Sequence, residues 1–146
     1  MIIPDTNILL YAYIPSFREH AAAKSWLEET LNKDREKIGL AWQVITSYIR
    51  IGTNPKLFQS PLTVRDAESN LSRLIEHPLG EIVAPQSGHW SVFINLIKTE
   101  QVTADLVMDA HLAALTIEHK ARFATTDRDF SRFRGLKFFN PLDGRT

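Results

Sequence analysis

Two kinds of segment alternate along the chain: short apolar runs, and longer stretches with apolar residues at helical spacing. The short runs predict strands at 1–4, 38–41, 81–84, 122–125 and 137–139. The longer stretches predict helices at about 8–13, 17–32, 42–51, 63–77, 89–99 and 103–119, and a single helical turn at 129–133. Strands that alternate with helices are typical of a parallel sheet covered on both faces. We therefore predict an α/β fold, a three-layer α/β/α sandwich with a short, mostly parallel central sheet of about five strands, in one domain over 1–146.

Capping signals place the starts of three helices. Thr6 and Asn7 precede the first helical run and are expected to cap it. The sequence from Ser16 to Glu19 has the spacing of a capping box, so the second helix is predicted to begin near 17. Thr63 and Asp66 predict a cap on the fourth helix.

Composition excludes several classes of protein. Hydrophobic residues make up 44% of the chain and charged residues 23%, which is typical of a globular domain and not of a disordered chain. No unbroken apolar stretch of about 18 residues is present, so no membrane span is predicted. No signal peptide pattern is visible at the start. Cysteine is absent, which excludes disulfides and thiolate metal sites and fits the cytoplasmic location that we expect.

The overall charge is balanced, but one region is locally basic. The 17 basic and 17 acidic residues cancel, whereas a protein that binds nucleic acid through its overall field is usually basic. Between 120 and 134, five basic residues stand against two acids. This segment is either a basic rim beside acidic residues or an ordinary solvated surface.

Asp5 is the first candidate for a functional site. It follows the first predicted strand directly and precedes the first helix. Ligands of open α/β sheets bind at the carboxyl ends of the strands. The alternative is that Asp5 serves only as a turn or capping residue.

Two further acids lie on the predicted helix at 103–119, which is otherwise largely apolar. Asp105 and Asp109 are four residues apart, and so on one side of the helix. Two like charges about 4 Å apart repel by roughly 4 kcal/mol at an effective dielectric constant near 20. The helix dipole accounts for Asp105 in the first predicted turn, but not for Asp109 a turn later. A cation or a proton is therefore expected near Asp109.

The predicted topology gathers acids from distant parts of the sequence. In a right-handed β-α-β unit, the start of the helix at 103–119 faces the same sheet edge as Asp5. The fourth strand ends at this edge, beside Asp127 and Asp129. Three or four carboxylates in one cleft require a hard cation, and oxygen ligands favour Mg²⁺ or Mn²⁺. Such a site can activate water and bind a phosphodiester, with one or two metal ions.

The order of these motifs resembles the PIN domains, and within them the VapC-type toxins of bacterial toxin–antitoxin pairs. The matching segments are IPDTNILLYA at 3–12, YIRIGTNP at 48–55, MDAHLAAL at 108–115 and TTDRDF at 125–130. The resemblance implies a PIN-like fold and an endoribonuclease dependent on Mg²⁺ or Mn²⁺, often acting on tRNA or rRNA. It also implies a homodimer and inhibition by a small VapB-type antitoxin protein that lies in a groove near the acids.

Carried over residue by residue, the resemblance makes Asp5, Asp109 and Asp127 the metal-site acids and Asp129 a fourth catalytic acid. Residues expected to support the site are Asn7, Ser47, Asp105 and Thr125. Ser47 stands where many PIN domains have a glutamate, so a second metal ion is expected to bind more weakly or not at all; whether Asp105 makes up part of the loss stays open.

The expected substrate contacts are arginines. Arg50 and Arg128 are the candidates to hold a phosphate, although Arg50 is equally explained by an ion pair on a helix surface. Two alternatives to the nuclease stay open. One is a phosphatase of the haloacid-dehalogenase type, which usually has an acid where this chain has Asn7. The other is a PIN-like module that lost its glutamate and only binds RNA or protein.

Overall fold

The structure, a computed structural model, describes residues 1–144, which form one five-stranded sheet and six α-helices. The strands are β1 (Ile2–Pro4), β2 (Ile38–Ala41), β3 (Gly80–Val83), β4 (Arg122–Ala124) and β5 (Phe138–Phe139). The helices are α1 (Thr6–Tyr13), α2 (His20–Asn32), α3 (Trp42–Gly52), α4 (Val64–Glu76), α5 (His89–Thr99) and α6 (Leu106–Glu118), and a 3-10 helix covers Arg128–Arg132. The predicted α/β fold is confirmed.

All strand pairings are parallel, in the order β3-β2-β1-β4-β5. The chain moves outward from β1 to β2 and β3, then crosses back to β4 on the other side of β1. Right-handed crossovers therefore place α1 to α4 on one face of the sheet and α5 and α6 on the other. The strand order reverses between β1 and β4, and this reversal creates a crevice at their carboxyl ends.

The short strands are the centre of the core. Every residue of β1 and β2 is buried, as expected for strands covered by helices on both faces. The close approach of α4 to β3 requires a glycine at position 80, because a Cβ atom there would lie 1.7 Å from the carbonyl oxygen of Leu74. Within residues 1–144, no helix has the length and apolar character needed to cross a membrane. The extension of one domain over 1–146 stays a prediction.

The second helix begins later than predicted. α2 starts at His20 after Glu19, which makes no capping hydrogen bond through its side chain, so the predicted capping box is wrong. Residues 14–20 instead form successive turns, with Phe17 N–H bonded to the Ile14 carbonyl. The Phe17 ring packs edge-on against Tyr11 and Phe58. The segment before α2 therefore packs through aromatic rings, and its side chains do not form the predicted cap.

The start of α6 is also later than predicted, at Leu106. Ala104 has a φ of 52°, a left-handed backbone conformation that an α-helix cannot contain. Asp105 thereby becomes the residue before the helix, and Asp109 falls in the first turn. The capping box of Thr63 and Asp66 on α4, by contrast, is confirmed.

Candidate functional site

The crevice between β1 and β4 is lined by polar residues from three elements. Asp5 directly follows β1, and Thr125 to Asp127 follow β4. The register of the two strands places Pro4 beside Ala124, and Asp5 N–H donates to the Ala124 carbonyl at 2.8 Å. The start of α6 adds Asp109. The sheet topology thus brings together acids that are more than 100 positions apart in the sequence.

Asp5 is held through both carboxylate oxygens. Oδ1 accepts a hydrogen bond from Thr6 N–H at 2.8 Å, so Asp5 itself is the cap of α1 and the predicted capping by Thr6 and Asn7 is wrong. Oδ2 accepts from the Thr125 hydroxyl at 2.7 Å. Burial raises the pKa of Asp5, the two hydrogen bonds oppose this rise, and the charge of Asp127 adds to it. The alternative role of Asp5 as a capping residue therefore accounts for Oδ1 but not for Oδ2.

Thr125 connects Asp5 to the second strand end. Its side chain is only 2% exposed, and its hydroxyl oxygen also accepts a hydrogen bond from Asp127 N–H at 3.0 Å. Asp127 Oδ1 in turn caps the 3-10 helix by accepting from Asp129 N–H at 2.8 Å. One buried hydroxyl thus bonds to the side chain of one acid and the backbone of the other.

Asp109 approaches these acids from α6. Its pKa is raised to about 6, first by burial and then by the negative charges of Asp127, Asp5 and Asp129. Within residues 1–144, the one opposing charge found to act on it is that of Arg132. The other three predicted acids therefore all act on Asp109 through space, and Asp127 also acts on Asp5. None of the ion pairs found in residues 1–144 includes any of the four.

The donor atoms at this site are oxygens. Asn7 Nδ2 donates to the Thr126 hydroxyl at 2.9 Å, while Asn7 Oδ1 is buried and has no hydrogen-bond partner among residues 1–144. Oδ1 is an acceptor in need of a donor or a cation. Carboxylates, hydroxyls and an unpartnered amide oxygen fit a hard divalent cation by their chemistry. Within the described chain, however, no three acidic or histidine side chains stand ready-made to hold a metal ion.

The remaining predicted residues make no hydrogen bond or ion pair with the four acids within residues 1–144. Asp105 is exposed, and it is not among the charges that act on Asp109, so the expected repulsion between the two is wrong. Ser47 is half-buried on α3, and no hydrogen bond in residues 1–144 joins it to the acids. Arg50 is exposed in the last turn of α3, about 12 Å along the helix from its start. Arg128 is exposed at the start of the 3-10 helix.

Two residues near this sheet edge escaped the sequence analysis. Arg132 is a cation that acts on Asp109. Its position three residues after Asp129 is the signal in the sequence, because a 3-10 helix has three residues per turn. Gln43 lies in the first turn of α3, one helical turn before Ser47, and its Oε1 atom is buried without a hydrogen-bond partner. A polar residue two positions after the end of a buried strand was the available signal for Gln43.

Comparison with known proteins agrees with the observed fold. The PIN domain family model matches residues 2–136. Ribonuclease VapC43 of Mycobacterium tuberculosis H37Rv is 36% identical over 146 residues, which is 100% of this chain and 99% of the relative. The VapBC2 structure from Rickettsia felis, bound to a promoter DNA fragment, has a TM-score of 0.66 at 17% identity and covers 96% of this chain and 98% of its own. VapC20 of Mycobacterium tuberculosis, described as a toxin that cleaves the sarcin-ricin loop, has a TM-score of 0.65 at 13% identity, covering 93% and 98%.

The chain belongs to the PIN domain family, because the family model matches residues 2–136, most of its length. Its full-length similarity to VapC43 places it among the VapC-type PIN proteins. The resemblance seen in the sequence motifs is thereby confirmed.

Proposed function

We propose that this protein is a divalent-metal-dependent endoribonuclease and the toxin of a VapBC-type toxin–antitoxin module. The observation that carries the proposal is the convergence of Asp5, Asp109, Asp127 and Asp129 without an ion-pair partner within the described chain. The pKa values of Asp5 and Asp109 are raised by burial and by neighbouring carboxylates, and perturbed carboxylates in a crevice are typical of functional sites. The ribonuclease activity named for VapC43 supports the same reaction class.

Asp5, Asp109 and Asp127 would hold the cation, and Asp129 would act as a further ligand or as the base that orients water. When bound, Mg²⁺ or Mn²⁺ supplies Lewis-acid polarisation of the phosphodiester and lowers the pKa of the attacking water. Thr125 positions two of the acids by the hydrogen bonds to Asp5 Oδ2 and from Asp127 N–H. Asp109 must be ionised to contribute, so its raised pKa of about 6 makes the site more competent above that pH.

For substrate and partners, the proposal follows the relatives. VapC20 is described as cleaving the sarcin-ricin loop, and the Rickettsia felis structure is a VapBC complex. We therefore propose rRNA or tRNA as the substrate class, a VapB-type protein as the inhibitor, a homodimer as the assembly and the cytoplasm as the location. The phosphatase alternative is set aside because the chain belongs to the PIN family.

Cleavage of pooled RNA by the Asp109→Asn variant tests the proposal. We expect the wild type to cleave with Mg²⁺ or Mn²⁺ and to stop with chelator, and the variant to lose the metal-dependent cleavage while remaining folded. Asp34→Asn, a change at an exposed loop acid, is the matched control and should cleave like the wild type. Undiminished cleavage by Asp109→Asn would refute the assignment.

A second candidate function follows from the expectation, implied by the family resemblance, that Ser47 stands where many PIN domains have a glutamate. A hydroxyl cannot replace the charge of a carboxylate. In this alternative, the protein is a PIN-like module that binds RNA or protein without cutting it. Calorimetric titration with Mn²⁺ separates the two functions, since the nuclease should bind the ion and cleave, whereas the binding module should take it up feebly and cleave nothing.

A further inference from the structure

The 3-10 helix after β4 places a cation beside the acids. A 3-10 helix has three residues per turn, so Asp129 and Arg132 lie on the same side of it. Arg132 Nε donates to the Asp129 carbonyl oxygen at 3.3 Å, which fixes the base of the guanidinium over this side. The negative charge of Asp129 and the positive charge of Arg132 both reach Asp109. Arg132 therefore stands next to the crevice that holds the acids.

The guanidinium of Arg132 is available to a ligand. Its side chain is exposed and takes part in no ion pair within residues 1–144. A guanidinium has five N–H donors in a planar fork, and the bond from Nε occupies only one of them. The two terminal nitrogens, which match a pair of phosphate oxygens, make no hydrogen bond in the described chain.

The neighbouring arginines either lie beside a glutamate or project from another side of the 3-10 helix. Arg122 donates from Nη2 to both oxygens of Glu36, at 3.1 and 2.9 Å. Arg134 Nε lies 4.0 Å from Glu100 Oε1. Arg128 is exposed, but it projects from a different side of the 3-10 helix and is not among the charges that act on Asp109. Among the arginines of residues 1–144, Arg132 is thus the one that is exposed and also acts on an acid of the crevice.

We infer that Arg132 binds a phosphate of the RNA backbone at the mouth of the acid crevice, through the two terminal nitrogens of its guanidinium. This inference rests on the proposed nuclease function and names a substrate contact for it. Four carboxylates repel a polyanion, so a fixed positive charge at the rim is needed to bring the backbone to them. Held by Nε at the Asp129 carbonyl, the fork is already oriented before RNA binds.

RNA affinity measured in an inactive background tests this role. A fluorescently labelled 20-nucleotide RNA of random sequence is titrated with Asp109→Asn protein in Mg²⁺ at several salt concentrations. Adding Arg132→Ala should weaken binding about tenfold and make the slope of log K against log salt shallower by about 0.7, as for one lost phosphate contact on a single strand. Arg132→Lys, which keeps the charge but not the fork, should fall between the two. Arg134→Ala is the matched control and should stay within about twofold.

Metal binding without RNA separates substrate binding from support of the acids. In the wild-type background, Arg132→Ala should bind Mn²⁺ at least as tightly as the wild type, because a repelling charge is removed. Unchanged RNA affinity and salt slope in the alanine variant, or an equal loss in Arg134→Ala, would overturn the inference. Loss of Mn²⁺ binding would overturn it as well and make Arg132 a support of the acid site. If the wild type neither binds Mn²⁺ nor cleaves RNA, the proposed nuclease function is refuted. If the wild type cleaves RNA but the Arg132 variants bind RNA as tightly as their parent, only the inference about Arg132 is refuted.

Discussion

Replacing Asp109 by asparagine should make the metal-free protein more stable at neutral pH. Asparagine keeps the shape of the side chain but carries no charge to be buried or repelled by Asp127, Asp5 and Asp129. The folded-state pKa of Asp109 is raised from 3.8 to about 6, so between these values the folded chain binds more protons than the unfolded chain. The free energy of unfolding of the wild type therefore falls as pH rises through this window, and the cost is complete above it.

The magnitude follows from the size of the pKa change. One pKa unit corresponds to about 1.4 kcal/mol, so a rise from 3.8 to about 6 sets an upper limit near ~3 kcal/mol. Because Asp109 is only half-buried, solvent screens much of this energy. We expect Asp109→Asn to gain about 1 kcal/mol at pH 8, which is about 3 °C in the midpoint of thermal unfolding for a chain of this size.

Thermal unfolding in chelator at pH 4, 6 and 8 measures this gain. The difference between variant and wild type should be near zero at pH 4 and grow toward pH 8. Asp105→Asn, at the exposed acid just before α6, serves as the control and should show no comparable pH-dependent gain. Adding Mn²⁺ should raise the midpoint of the wild type more than that of the Asp109 variant. A variant that is less stable than the wild type at pH 8, or a difference independent of pH, would refute the electrostatic reasoning.

Three further substitutions test the support of the site and the packing of the fold. Thr125→Val removes a buried hydroxyl with two hydrogen bonds, so it should cost about 2 kcal/mol in urea unfolding and weaken Mn²⁺ binding in calorimetry. Gly80→Ala should destabilise the fold by more than about 3 kcal/mol, because its Cβ would lie 1.7 Å from a carbonyl oxygen of α4, whereas Gly88→Ala meets nothing within 4 Å and should be near neutral. Ser47→Glu should bind Mn²⁺ more than about tenfold tighter if this position faces the ion, while Thr46→Glu, at an exposed position, should not.

The sheet and the gathering of the acids were predictable from the sequence because both follow from connectivity. Short buried strands appear as unbroken apolar runs, such as Ile38–Ala41, and their alternation with helices leaves few topologies. Once the strands are parallel, residues that follow them share one edge. Asp5 and Asp127 therefore meet whatever the details of the loops between them.

The features that were missed depend on backbone conformation or on packing between distant residues. Nothing in the residue type announces that Ala104 has a left-handed backbone, yet this conformation moves the start of α6 to Leu106. Phe17 packs against an aromatic ring 41 positions later, and this contact replaces the expected cap of α2. Arg132 was missed because its side of the helix depends on a period of three residues, whereas the segment was predicted only as a single helical turn.

The displaced start of α6 also changes the electrostatics at Asp109. With the helix beginning at Leu106, Asp109 lies in the first turn, where the helix dipole stabilises a negative charge by at most about 1 kcal/mol at a partly exposed position. Burial and the three other acids nevertheless raise its pKa to about 6, and Arg132 is the one charge within residues 1–144 found to oppose them. Burial and repulsion together therefore outweigh both the dipole and this arginine. A divalent cation carries twice the charge of an arginine and binds carboxylates directly, so it can balance the ionised acids at neutral pH where the protein's own cation does not.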